Sequence, residues 1–163
     1  MPTAAVLTIS DRVARGVYHD ESGPTAVSIL RDRLGISEVE LSIVPDDKPA
    51  IEDILRRWVD EEQVDLILTN GGTGISPRDV TPEATEAIID YEIPGLSELM
   101  RAVSLQKTPM AALSRAVAGV RKRTLIINLP GSPKAVRECL EAILPVLPHA
   151  LEQLKDGSGH EKC

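Results

Sequence analysis

The sequence predicts an α/β fold: a three-layer α/β/α sandwich with a mostly parallel central sheet. Two observations carry this reading. Three short, continuous apolar runs rich in β-formers stand at Ala4 to Ile9, Asp65 to Thr69 and Thr124 to Leu129. Such runs suit strands buried on both faces of a parallel sheet. Between them lie stretches of helical periodicity, and strand–helix alternation builds layered α/β domains. With 163 residues, 42% of them apolar, the chain suits one domain and one core, expected over residues 1–156, with 157–163 (GSGHEKC) as a flexible tail.

The elements follow in order. After Ala4 to Ile9 comes a polar loop with Ser10, Asp11, Arg12, Arg15, Gly16 and Asp20. Ser22 to Leu34 reads as a helix. Val39 to Val44 alternates apolar Val39, Leu41 and Ile43 with polar Glu40 and Ser42, the mark of a half-buried or edge strand. Ile51, Ile54, Leu55, Trp58 and Val59 share one helical face. Thr81 to Asp90 reads as a helix with Thr81 as N-cap, Pro82 in the first position and Glu83 in the first turn. After Leu129, Gly131 permits a sharp turn, Ser132 suits an N-cap and Pro133 the first helical position. Val136, Leu140, Ile143, Leu144 and Leu147 continue that helix, with Pro145 and Pro148 dividing it.

Composition narrows the function classes. The net charge of −7 and the scarcity of stacking aromatics (one Trp, two Tyr, no Phe) argue against nucleic acid. No apolar run approaches the roughly 20 residues of a membrane span, and the N-terminus carries no signal-peptide pattern. The expected setting is the cytoplasm. Cys139 and Cys163 lack zinc-site spacing, and Cys139 reads as a small apolar helix residue. His19, His149 and His160 show no ligand spacing. No G-x-S-x-G nucleophile elbow occurs.

Ligands of such sheets sit at the carboxyl ends of the strands. The loop after Thr69 places Gly71, Gly72 and Gly74 within four positions. Without Cβ atoms, the backbone admits a ligand closely, and successive N–H groups can form an anion nest. Thr73 and Ser76 add hydroxyls, and Arg78 adds a fixed charge. The loop matches neither Walker A nor G-x-G-x-x-G. Lys134 falls in the first turn of a helix, where the macrodipole disfavours a cation; it either meets an anionic ligand or lies in solvent. Asp46 is either an acid of the site or an N-cap, a role for which Asp47 competes. If Asp46 and Asp79 face one cleft, two carboxylates meet a phosphate loop. A hard cation then belongs between them, because Mg²⁺ binds through one or two carboxylates plus phosphate oxygens. That points to phosphoryl or nucleotidyl transfer.

Five stretches carry a resemblance: LTISD (Leu7 to Asp11), VPDD (Val44 to Asp47), GGTGISPRDVTPEAT (Gly71 to Thr85), LSR (Leu113 to Arg115) and LIINLPGSPKAVRECL (Leu125 to Leu140). With these, the chain resembles the molybdopterin adenylyltransferases: the bacterial MogA proteins and the G domains of gephyrin and its plant Cnx-type counterpart. The related MoaB proteins share the GGTG and PGS elements, while the VTPEAT and NLPGSPK forms look closer to the MogA side. The resemblance implies Mg²⁺-dependent transfer of AMP from ATP to the molybdopterin phosphate, with release of pyrophosphate. It places the two acids needed for activity, and the tentative Mg²⁺ ligands, on Asp46 and Asp79. Its motifs make Ser10, Asp11, Gly71, Gly72, Thr73, Gly74, Arg78, Ser114, Arg115, Asn128, Pro130, Gly131, Ser132 and Lys134 the candidates for binding substrate and nucleotide. It also implies a homotrimer and, as a partner, the molybdate-inserting MoeA-type enzyme. Two departures, Asn70 where many relatives have Thr and Ile75 where relatives often have Phe, touch neither the acids nor the glycines. The alternatives are a MoaB-like pterin-binding protein without transfer activity and a CinA-like nucleotide hydrolase.

Overall fold

The computed structural model describes residues 1–156; the expected tail lies outside the described residues. Six strands form one sheet in the order β2-β1-β3-β6-β5-β4. The strands are β1 (Ala4–Ile9), β2 (Val39–Val44), β3 (Leu66–Asn70), β4 (Tyr91–Glu92), β5 (Ala118–Arg121) and β6 (Thr124–Leu129). β2, β1, β3 and β6 run parallel; β5 and β4 close the far edge antiparallel. The chain leaves β1 toward β2 on one side and reaches β3 on the other, so the strand order reverses between β1 and β3. That is the switch point at which open α/β sheets bind ligands.

Helices cover both faces. One core joins Val6, Leu68 and Ile127 of the sheet to α2 (Ser22–Leu34), α5 (Pro94–Leu105), α6 (Pro133–Ile143) and α7 (Leu147–Asp156). The other joins Leu7, Ile67 and Ile126 to α3 (Lys48–Arg56) and α4 (Thr81–Ile88). Successive residues of β1, β3 and β6 thus point into opposite cores. This explains their unbroken apolar runs and yields the expected three layers.

Several expectations need correction. β3 starts at Leu66, not Asp65, whose carboxylate instead accepts the Thr3 N–H at 2.8 Å. α4 ends at Ile88, before Asp90, and Thr81 is its first residue; Val80 occupies the cap position. Thr81 turns its hydroxyl to the Gly71 carbonyl at 2.9 Å. Pro145 separates α6 from α7, but Pro148 lies in the first turn of α7, where its missing N–H costs nothing. The apolar face of residues 51–59 spans α3 and a following π-helical turn, Arg57–Glu61, which buries Trp58 and Val59. β2 is the edge strand expected, yet Leu41 and Ile43 remain 39% and 43% exposed, because α2 covers only part of that face. The polar loop after β1 begins with a short helix, α1 (Asp11–Ala14). The sequence reading lacks α5, the 3₁₀ turn Pro109–Leu113, β4 and β5. Among the described residues, no helix is long and apolar enough to cross a membrane.

Candidate active site

A cleft of about 430 Å³ opens at the carboxyl edge of the sheet. Its floor is Gly71 and Gly72 after β3, flanked by Ser10 after β1 and Gly131 after β6. Asp46 and Asp79 both line it, so the two acids face one cleft.

The glycines are placed by sterics. Gly71 and Gly72 have φ of +98° and +68°, values that L-residues other than glycine rarely adopt. A Cβ on Gly71 would strike the Ile9 carbonyl, and one on Gly72 would strike the Thr81 hydroxyl and stand 3.1 Å from Asp46 Oδ1. A Cβ on Gly74 would stand 3.0 Å from Asp79 Oδ2. The turn therefore lies between the two carboxylates, each approaching a glycine that leaves room for it. Gly71 donates its N–H to Leu129 O at 3.1 Å and is spent on tying the β3 and β6 loops together. Among the described residues, the N–H groups of Gly72, Thr73 and Gly74 have no protein acceptor.

Asp47 settles the rivalry over the cap: its carboxylate accepts the Ala50 N–H at 3.1 Å and starts α3. Asp46 is left to the cleft. Its Oδ2 accepts the Asp11 N–H at 3.0 Å, while Asp11 Oδ1 accepts the Asp46 N–H at 3.0 Å. Burial pushes the Asp46 carboxyl above its ordinary range, and the negative charges of Asp11 and Asp79 add to the push against a bond from the Asp11 backbone. Such a carboxylate gains from a cation. The pair of acids fits Mg²⁺, which needs only one or two carboxylates when a phosphate supplies further oxygens. Asp11 shows the opposite shift: its bond to Arg78 lowers it, with help from the Asp46 backbone.

The other candidates separate by where they lie. Ser10 caps α1 through Val13 N, and Ser132 caps α6 through Ala135 N, at 3.2 Å each. Gly131 accepts the Ser22 hydroxyl at 2.5 Å. Thr73, Gly74, Ser114, Asn128 and Pro130 line a second, mostly apolar pocket of about 290 Å³ on the other side of the glycine loop. Arg78, Arg115 and Lys134 also stand apart from the cleft wall. Arg78 lies in the loop but forks onto Asp11, with two bonds of 3.0 Å. Arg115 grips the loop from behind, bonding Gly74 O at 2.7 Å and Asp79 O at 3.0 Å. Lys134 is 86% exposed, 4.0 Å from Glu138; it lies in solvent.

Asn128 is wholly buried. Its Oδ1 accepts the Val117 N–H at 3.1 Å, and its Nδ2 donates to Thr69 Oγ1 at 3.0 Å and Thr85 Oγ1 at 2.9 Å. Thr85 donates onward to Thr81 O, and the Thr81 hydroxyl to Gly71 O, both at 2.9 Å. A buried chain of hydrogen bonds thus runs from β6 through α4 to the glycine loop, and it saturates Asn128.

Residues that sequence reasoning passed over also line the cleft: Thr8, Tyr18, His19 and Ser22. His19 shows no ligand spacing, yet it lies within the loop marked by Arg12 and Asp20. The second pocket went unseen because α5 did; Leu96, Met100 and Val103 after Pro94 hold a helical spacing that would have revealed it.

The family described as "Probable molybdopterin binding domain" matches residues 5–149. The chain is 47% identical over 148 residues to the molybdopterin adenylyltransferase of Helicobacter pylori, covering 90% of this chain and 84% of that protein. It is 56% identical to the molybdopterin biosynthesis enzyme MoaB of Thermus thermophilus, whose crystal structure superimposes with a TM-score of 0.86 over 94% of this chain and 96% of that one. The molybdopterin biosynthesis Mog protein of Mycobacterium ulcerans is 47% identical, with a TM-score of 0.89 over 94% of this chain and 99% of its own. With nearly its whole described length matched in sequence and in fold, the chain belongs to the molybdopterin-binding domain family.

Proposed function

We propose that the cleft adenylylates molybdopterin. An oxygen of the molybdopterin phosphate attacks the α-phosphorus of ATP, the bond between the α-phosphorus and the bridging oxygen breaks, and pyrophosphate leaves. The observation that carries the reading is the pairing of Asp46 and Asp79 around a glycine turn in one cleft. Carboxylates repel phosphate unless a cation intervenes, so two of them beside an anion nest suit a metal-bound nucleotide. The adenylyltransferase relative from Helicobacter pylori supplies the second substrate.

The roles follow from local chemistry. Asp46 and Asp79 would hold Mg²⁺, which when bound neutralises phosphate charge. The free N–H groups of Gly72, Thr73 and Gly74 bind phosphate oxygens, and Gly131 and Ser132 border the nucleotide. Catalysis of this kind rests on positioning and charge stabilisation rather than on a protein nucleophile. The reading also includes a homotrimer that passes its product to a MoeA-type enzyme, both on the family resemblance, and the cytoplasmic setting expected from the sequence.

The second reading is a MoaB-like protein that binds the pterin without transferring AMP, kept because the chain is 56% identical to a protein named MoaB. Incubation with molybdopterin, ATP and Mg²⁺ separates the two. Stoichiometric pyrophosphate and an adenylated pterin are expected, and pterin binding without ATP consumption would sink the transferase.

A further inference from the structure

We infer that Arg115 is a positioning residue for Asp79 rather than a ligand of phosphate, an inference that rests on the adenylyltransferase reading. Arg115 follows the 3₁₀ turn Pro109–Leu113 and precedes β5, so it belongs to neither catalytic loop. Nevertheless it makes three bonds to the β3–α4 connection and a fourth to the first turn of α4. Its backbone N–H donates to Thr73 O at 2.8 Å, where the loop begins. Nε donates to Gly74 O at 2.7 Å, and Nη2 to Asp79 O at 3.0 Å. Nη1 meets the carboxylate of Glu83 in the first turn of α4.

Apart from Arg115, the side-chain anchor of this span is the fork of Arg78 on Asp11, which holds its exposed outer part. Ile75, Ser76, Pro77 and Arg78 are exposed. The turn closes on itself: the Asp79 N–H donates to Ser76 O at 2.9 Å, and Asp79 Oδ2 accepts the Ser76 N–H at 3.1 Å. The direction of the Asp79 carboxylate is therefore that of the whole turn. Arg115 fixes the turn at both ends, Gly74 and Asp79, through one rigid planar group. A lysine carries the same charge but presents one nitrogen and cannot span three separated acceptors. Glu83 serves as the counter-ion: burial works against its ionisation, but the Arg115 bond, its own backbone N–H and nearby positive charge hold its carboxyl below the ordinary range. With its fork committed to the loop, Arg115 does not line the cleft.

The test compares Arg115→Lys, Arg115→Ala and Glu83→Gln with the unmodified protein. Misplacing a reacting group from a distance costs on the order of 10²-fold, so kcat falls by that order in both Arg115 variants while KM for ATP holds. Arg115→Lys is no better than Arg115→Ala, and Glu83→Gln shows a smaller loss of the same kind. Independently of turnover, amide NMR of the ligand-free protein shows the Gly74 and Asp79 resonances displaced in all three variants, and the Asp79 response to Mg²⁺ alone weakened. Retained activity in Arg115→Lys, or a raised KM with kcat preserved, would assign Arg115 to phosphate and overturn the inference. So would a lowered kcat with unmoved Gly74 and Asp79 resonances. If the unmodified protein transfers no AMP, the proposed function fails, yet the resonances and the Mg²⁺ response still decide the role of Arg115. If Arg115→Ala does not fold, Arg115→Lys and Glu83→Gln carry the same comparison.

Discussion

Replacing Asn128 by Ala should destabilise the protein severely while sparing nucleotide affinity. The side chain is fully buried, and its three hydrogen bonds go to Val117 N, Thr69 Oγ1 and Thr85 Oγ1. Alanine leaves the buried Val117 N–H without its acceptor, at about 1–3 kcal/mol. Losing the two bonds to the threonine hydroxyls adds roughly 1 kcal/mol each. The sum is about 3–5 kcal/mol before any cavity is counted. For a chain of this size, each kcal/mol lowers Tm by about 2–4 °C, so a fall of roughly 6–20 °C is expected in a calorimetric scan. Calorimetric titration with ATP and Mg²⁺ well below the transition should then show near-normal affinity. The opposite pattern, a Tm within about 2 °C of the parent with ATP affinity reduced tenfold or more, would make Asn128 a ligand contact and refute its role as a pin.

Asp79→Ala should keep pterin binding and lose AMP transfer; normal turnover in that variant would remove Asp79 from the mechanism. Asp46→Asn should raise Tm at neutral pH while impairing transfer. Burial raises the Asp46 carboxyl, so the charge it carries in the folded protein opposes folding as pH climbs above the ordinary carboxylate range; the gain from Asn should fade in acid, and a pH-independent Tm difference would contradict this account. The converse holds for Asp60, whose bonds to Arg121 and then Lys122 lower its carboxyl strongly. Its contribution is full above the ordinary carboxylate range and lost as pH falls through the lowered value, so Asp60→Asn should be less stable at pH 7 and converge on the parent in acid melts. Gly72→Ala, at φ +68° and facing Thr81, should lose about 1–3 kcal/mol, and an unchanged Tm would mean that the turn relaxes freely.

The buried strands were the legible part of the fold. β1 and β6 match their apolar runs, and α2 matches its expected span, ended by Gly35 in the left-handed region at φ +67°. β5 was not legible. It has four residues, and Gly119 breaks its pattern because β4 passes close: a Cβ there would lie 2.7 Å from Tyr91 O. Packing against a neighbour decides such a position, and no local propensity reveals it. The site divides in the same way. Asp46, Asp79, Gly71 and Gly72 converge on one cleft, since strand ends in a parallel sheet share an edge. Asn128 and Arg115 lie in motifs that also hold ligand candidates, and a motif does not distinguish a group that touches substrate from one that holds the touching group. Only the hydrogen-bond partners do.

Gly71 is a knot rather than a flexible link. Its N–H is tied to Leu129, its carbonyl to the Thr81 hydroxyl, and the Ile9 carbonyl blocks any side chain; Gly131 lies close enough that a Cβ there would stand 3.5 Å from Gly71 Cα. The floor of the cleft is thus fashioned by folding itself, before any ligand arrives. A ligand entering such a mould orders little chain, so the heat capacity of its binding reports surface removed from water rather than segments that fold. Discrimination on this floor is by shape: with three strands knotted at one residue, a misfitting ligand cannot be admitted by a shift of Gly71.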